Sequence, residues 1–174
     1  ARAVLTQFGF AHGWRMAAAM QKEFNWEDDD EWRLAGTRIH TLGGLFCIQQ
    51  GNEDPLSEKG ATFLSSYEAE QHLLHFGPSE CPVCWTICGL TSGYVSHTTG
   101  KEIYVLEDRC LGAGHAACHL IGRTRDEWGA ERADELEFFD ADRLTECLDV
   151  SLSNVTETLK NAEEKLKAHR KVLV

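Results

Sequence analysis

Five of the seven cysteines in this 174-residue chain fall within residues 81–122, CPVCWTICGLTSGYVSHTTGKEIYVLEDRCLGAGHAACHLIG. Those five, Cys81, Cys84, Cys88, Cys110 and Cys118, constrain the fold more than any other feature. Pro82 after Ser79 predicts a helix start, and Val83, Ile87, Leu90 and Tyr94 follow at helical spacing. Residues 98–101 break that pattern, and residues 102–107 alternate like a strand. Cys110 and Cys118 flank a loop holding Gly112, Gly114 and His115, and residues 116–122 read as a second strand. Thiols on a helix facing thiols around a glycine-rich loop supply the four soft ligands of a tetrahedral zinc site. Spacing nominates Cys81, Cys84, Cys110 and Cys118, with Glu107, His115 and His119 as competitors. Small buried hydrophobes are the plainer explanation for any one of these cysteines. A disulfide framework is disfavoured by the odd count of seven and by the lack of a secretory segment. The clustering favours a metal over both.

The totals exclude several function classes. A net charge of −11 argues against a general nucleic-acid-binding surface, and no apolar run reaches the length of a membrane span. Hydrophobic residues at 43% and charged residues at 26% suit an ordinary globular domain with a sizeable core. Reduced cysteines without a signal segment point to the cytoplasm. Neither a phosphate-binding GxxxxGK[ST] loop nor a DNA-reading module occurs.

Upstream of the cysteine-rich stretch, residues 3–24 read as a helix whose Gly9, Gly13 and alanines allow a close helix partner. The acidic run 27–31 reads as the first turn of a short helix, with Trp26 and Trp32 packing inward. Residues 37–51 mix turn glycines with a short strand at 45–48, and residues 51–60 form a polar connection. A strand at 61–64 follows. Ser65 with Glu68 forms a candidate capping box for a helix reaching Phe76 and ended by Gly77-Pro78. The order of elements is α+β: a small mixed sheet flanked by helices, with a zinc-bound helix–hairpin subdomain.

The C-terminal segment is of a different kind. Leu148, Leu152, Val155, Leu159, Ala162, Leu166, His169 and Leu173 alternate at spacings of four and three. That is a heptad seam, and it predicts a coiled-coil linker helix and a homodimer. The chain thus divides into an N-terminal segment (1–50), a zinc domain (51–128) and a helical linker (129–174).

Several of these residues also carry a resemblance. PVCW at 82–85, GLTSGY at 89–94, Glu107-x-x-Cys110, Cys118 and IGRTRDEW at 121–128 are joined by SYEAEQHL at 66–73, LAGTRIHTLGGL at 34–45 and GFAHGWR at 9–15. Together they resemble the N-terminal sensor region of sigma-54-dependent transcriptional activators that respond to phenols, toluene and xylenes. That region contains a 4-vinyl-reductase-type zinc domain. The resemblance implies that Cys84, Glu107, Cys110 and Cys118 hold the zinc, which displaces Cys81 in favour of Glu107. It implies further that His40 faces an effector hydroxyl, and that Phe63 stands where phenol sensors carry a tryptophan. Ala61 would replace a bulkier aromatic, and Leu42, Leu45 and Tyr94 would complete the wall. The resemblance also implies that 1–50 is a dimerisation and pocket segment and that the zinc domain, 51–128, binds the ligand. The implied function is regulatory: an aromatic effector relieves repression of an ATPase module that is not in this chain. The alternative is a zinc-dependent hydrolase or reductase acting on a small aromatic. Four protein ligands close a zinc to water and so favour the sensor.

Overall fold

The structure, a computed structural model, describes residues 1–142, 145 and 152–162. Its first helix, α1 (Arg2–Glu23), turns an unusual face inward: Ala3, Thr6, Gly9, Gly13, Ala17 and Met20 are buried, whereas Phe8 is 64% exposed. Small residues at spacings of three and four leave a shallow groove along the helix. The groove is filled by the backbone of α4 (Trp85–Thr99), whose Gly89 and Gly93 face it. A Cβ on Gly13 would lie 1.9 Å from the carbonyl oxygen of Leu90, and one on Gly93 would lie 2.0 Å from that of Phe10. The two backbones are therefore in direct contact, and only glycine permits it.

Between them in sequence runs α2 (Asp29–Leu42), longer than the short helix expected. Asp28 caps it by accepting from the amide of Glu31, and Asp29, Asp30 and Glu31 occupy the electropositive first turn. Trp32, Gly36 and His40 are its buried residues, four apart and hence on one face.

The sheet has four strands in the order β1-β2-β4-β3: β1 (Phe46–Ile48), β2 (Ala61–Ser66), β3 (Tyr104–Arg109) and β4 (Cys118–Arg123). Every neighbouring pair is antiparallel, so the expected mixed sheet has no parallel pair among the described residues. Ser66 closes β2 and caps α3 (Tyr67–Phe76) by accepting from Ala69 N at 3.3 Å. The cap is therefore Ser66, one residue beyond the expected Ser65. The partner expected for that box, Glu68, reaches elsewhere: its carboxylate accepts from Thr86 N at 2.9 Å and Ile87 N at 3.1 Å. It caps α4 from a distance, which frees Cys84, the residue at that helix's own cap position, for other work.

The main core lies between α4 and the sheet, with Phe46, Phe63, Val83, Ile87, Val105 and Leu120 among its residues. Beyond β4 a capping box of Thr124 and Glu127 opens a short turn of helix, and Trp128 Nε1 donates to Tyr104 O at 2.7 Å. Arg2 and Glu135, 3.2 Å apart, tie the start of α1 to this C-terminal part. Residues 152–162 are helical, and Leu152, Val155 and Leu159 are exposed. Positions Leu148, Leu166, His169 and Leu173 of the heptad seam lie outside the described residues. Among the described residues, no helix is long and apolar enough to cross a membrane.

Candidate metal centre and aromatic-walled cavity

The metal-ligating side chains come together where α4 begins and the β3–β4 hairpin ends. Cys84, Glu107, Cys110 and Cys118 are all buried, with one ligand atom from each lying within 4.8 Å of all the others. Cys84 Sγ is 3.7 Å from Cys118 Sγ and 4.0 Å from Cys110 Sγ. Thiolates arranged tetrahedrally at zinc–sulfur bond lengths stand about 3.8 Å apart, so the cluster has the right size for that ion. Glu107 Oε2 accepts from Cys84 N at 3.2 Å, while buried Oε1 has no protein partner, as expected of an oxygen reserved for a cation. The sulfurs are supported by donors: Ser66 Oγ lies 3.2 Å from Cys84 Sγ, and Leu111 N donates to Cys118 Sγ at 3.3 Å.

Four acidic groups this close cannot all ionise unaided. The neighbouring thiols Cys110 and Cys118, then burial, push Cys84 up. Burial, then the charge of Cys110, pushes Glu107 up to about 8. A divalent cation removes that conflict by stabilising the deprotonated ligands together.

The same geometry explains why the helix starts later than Pro82 suggests. The amide of Val83 donates to Cys110 Sγ at 3.5 Å and that of Cys84 to Glu107, so both serve the cluster and the first helical residue is Trp85. Cys81 is left exposed, outside the cluster. His115 and His119 are engaged elsewhere. Cys110 N donates to His115 Nδ1, and the ring of His119 bridges Asp108 and the Lys59 carbonyl.

A second feature lies between α2, α4 and the first hairpin. His40, Phe46, Ala61, Phe63 and Tyr94 line a cavity of about 20 Å³. That volume suits a single water, so admitting an aromatic ring requires wall side chains to move. Phe46 and Phe63 stack with ring centroids 4.1 Å apart and planes within 1°. Tyr94 is held by its hydroxyl, which donates to the Trp32 carbonyl at 2.7 Å. His40 is 6% exposed and its Nε2 has no protein partner. Burial, helped by nearby His12, lowers its pKa to about 4, so the ring is neutral at physiological pH and available as donor or acceptor.

The structure thus brings His40, Ala61, Phe63 and Tyr94 together at one cavity. It does not bring Leu42 or Leu45 there. Leu42 is 88% exposed, because two residues along a helix from His40 is more than half a turn. Leu45 packs against the main core instead. Phe46, Arg33 and Gly36 also line the cavity and were not anticipated. The positions 33, 36 and 40 form a helical face, a signal concealed when 37–51 is read as turn and strand.

Comparison with known proteins finds related regulators. Residues 1–52 match the family model XylR_N, described as activator of aromatic catabolism, and residues 65–124 match the V4R domain. The chain is 35% identical to the phenol regulator MopR of Acinetobacter guillouiae over 74% of this chain and 23% of that protein. It is 31% identical to the transcriptional regulatory protein XylR of Pseudomonas putida over 63% of this chain and 20% of that one. It therefore spans less than a quarter of the length of either relative. Among solved structures, the crystal structure of the phenol-responsive sensory domain of the transcription activator PoxR with phenol superposes with a TM-score of 0.65. That match has 26% identity and covers 80% of this chain and 71% of the other. This chain resembles the N-terminal sensor region of such aromatic-responsive regulators, joining an aromatic-catabolism-activator segment to a V4R domain.

Proposed function

We propose that this chain is an aromatic-effector-sensing regulatory domain of a sigma-54-dependent activator. The effector enters between Phe46, Phe63 and Tyr94 with its polar group against His40. The observation that carries this reading is the buried, neutral His40, whose Nε2 lacks a protein partner in an aromatic-walled cavity. Similarity to proteins named for phenol and aromatic regulation supports the ligand class. Wild-type walls of Phe63 and Ala61 suit benzene, alkylbenzenes, phenols or larger aromatics rather than phenol alone.

In this proposal Cys84, Glu107, Cys110 and Cys118 hold one zinc. Zinc there cross-links the start of α4 to the β3–β4 hairpin and contributes folding free energy. Ser66 contacts Cys84 from the end of β2, and Glu68 of α3 caps the helix that Cys84 precedes by accepting from Thr86 N. Effector binding shifts the domain between two states and relieves repression of a downstream ATPase module. We assign 1–50 to dimerisation and one pocket wall, 51–128 to the zinc domain, and 129–174 to a linker. The homodimer would bury exposed Leu5 and Phe8 of α1 and the Leu152, Val155 and Leu159 face, in the cytoplasm.

Calorimetric titration of the purified chain with benzene, toluene and phenol, followed by chromatography of each mixture, tests the reading. Saturable binding with every compound recovered unchanged is expected. Consumption of an aromatic would instead select the zinc-dependent hydrolase or reductase.

A further inference from the structure

Arg33 stands seven residues before His40 on α2, only 20° short of two full helical turns. Both side chains therefore project from one face, about 10 Å apart along the axis. Both line the same cavity. The Arg33 side chain is only 17% exposed, and its terminal nitrogens are already committed: Nη1 donates to Asp30 at 2.7 Å and Nη2 to Asp54 at 2.9 Å. Its Nε is buried and meets no protein acceptor. The cavity that Phe46, Phe63, Ala61 and Tyr94 help to wall is thus lined by two residues, His40 and Arg33, that each carry a buried, unpaired side-chain nitrogen.

The chemistry of the two nitrogens differs. His40 donates or accepts according to tautomer, whereas arginine Nε–H only donates. A buried donor left unpaired is costly, and a ligand oxygen that satisfies it recovers that cost. The charge balance decides what kind of oxygen. Asp30 and Asp54 already offset the guanidinium, and Glu53 also lines the cavity. A carboxylate would meet an arginine already paired and a nearby negative charge. A neutral oxygen meets the donor without that repulsion.

We propose that Arg33 is a specificity-determining residue of this cavity, whose Nε–H takes a neutral oxygen acceptor on the ring position opposite the group facing His40. The proposal rests on the aromatic-effector reading and narrows it to neutral 1,4-disubstituted rings, such as a phenol with a para carbonyl.

The test is calorimetric titration of the chain with phenol, 4-hydroxyacetophenone, its 3-hydroxy isomer and 4-hydroxybenzoate. The para ketone is expected to bind about tenfold tighter than phenol or more, the discrimination that one hydrogen bond from a charged donor supports. The meta isomer and the benzoate gain nothing over phenol. Arg33→Met, made together with Asp54→Asn so that the half-buried Asp54 carboxylate is not left unpaired while the exposed Asp30 returns to water, should bring the para ketone within about twofold of phenol while phenol still binds. Phenol binding without a para advantage, or a para advantage that survives in the double variant, overturns the proposal and leaves the effector reading standing. No saturable binding by any of the four, nor by benzene or toluene, overturns the effector reading itself. Should the double variant not fold, the wild-type para-to-meta ratio decides alone.

Discussion

Phe63 and Cys118 face each other directly across the β2–β4 ladder, both almost fully buried. Residues opposite one another in an antiparallel pair share a sheet face, so an aromatic wall of the cavity and a member of the candidate metal cluster rest on the same two strands. Three residues beyond Phe63, Ser66 touches Cys84. From Cys84, α4 then runs ten residues to Tyr94, on the cavity's far side. The Cys84, Glu107, Cys110 and Cys118 cluster, the candidate metal site, is thus part of the frame that spaces the cavity walls.

Replacing a cluster residue should therefore remove metal and cavity together. Cys84→Ala is expected to give metal-free or insoluble protein, and Cys81→Ala to keep one equivalent, as measured by elemental analysis. Stoichiometric zinc in Cys84→Ala with loss from Cys81→Ala would falsify the assignment of Glu107 to the ligand set. Chelating the metal from wild type should abolish aromatic binding as well.

The contact between α1 and α4 gives a prediction of opposite sign to helix propensity. Alanine is better than glycine in a helix interior by about 1 kcal/mol. At Gly93, however, the added Cβ falls 2.0 Å from the Phe10 carbonyl oxygen, and backbone cannot step aside cheaply. Gly93→Ala should destabilise by about 2–3 kcal/mol, the range of overpacking in a tight core. Thermal or denaturant unfolding measures it, and a rise in midpoint contradicts the packing.

How much of this the sequence disclosed follows from the kind of signal. The buried cluster of Cys84, Glu107, Cys110 and Cys118 was legible through the resemblance, whose motifs restrict which residue types occur at such positions; spacing alone nominated Cys81 in place of Glu107. Helix periodicity found α1, but nothing local reveals that Gly13 meets Leu90, since that depends on two helices choosing each other. The boundary of α2 was missed because Gly43, Gly44 and Gly51 suggest turns over 37–51, whereas the helix continues to Leu42 and holds Gly36 inside it, which makes room for the Tyr94 ring. The resemblance, not periodicity, had put Leu42 on the wall, and the missed boundary hid the helical face that carries Arg33. Glu68 was read as capping its own helix because capping is usually local, and only the tertiary fold shows it reaching Thr86.

The depressed pKa of His40 makes a prediction about acid. Its folded value of about 4 lies below the ordinary 6.5, so the unfolded chain takes up the proton first as pH falls. Stability from this group is complete above pH 6.5 and is lost as pH drops toward 4, by up to roughly 3 kcal/mol. Urea unfolding at several pH values should show a shallower acid loss in His40→Gln than in wild type. Equal losses would mean that His40 is not held neutral by burial.

Phe63 offers an aromatic surface without a polar hydrogen, so in wild type His40 alone of these two favours phenol over toluene and the preference should be narrow. Phe63→Trp introduces an indole N–H beside His40's cavity, and a neutral hydrogen bond is worth about 1 kcal/mol net. The phenol-to-toluene affinity ratio is expected to rise roughly fivefold. A strong phenol preference in wild type, unchanged by the substitution, would remove Phe63 from the effector wall.

The central claim is that an aromatic effector meets His40, and one measurement addresses it directly. Phenol is titrated into chain labelled at histidine, and the ring nitrogens of all eight histidines are followed by NMR. The expected result is a saturable shift of the His40 signal, assigned with His40→Gln, at the same midpoint as the calorimetric titration. Saturable phenol binding that leaves the His40 resonance unmoved would contradict the account.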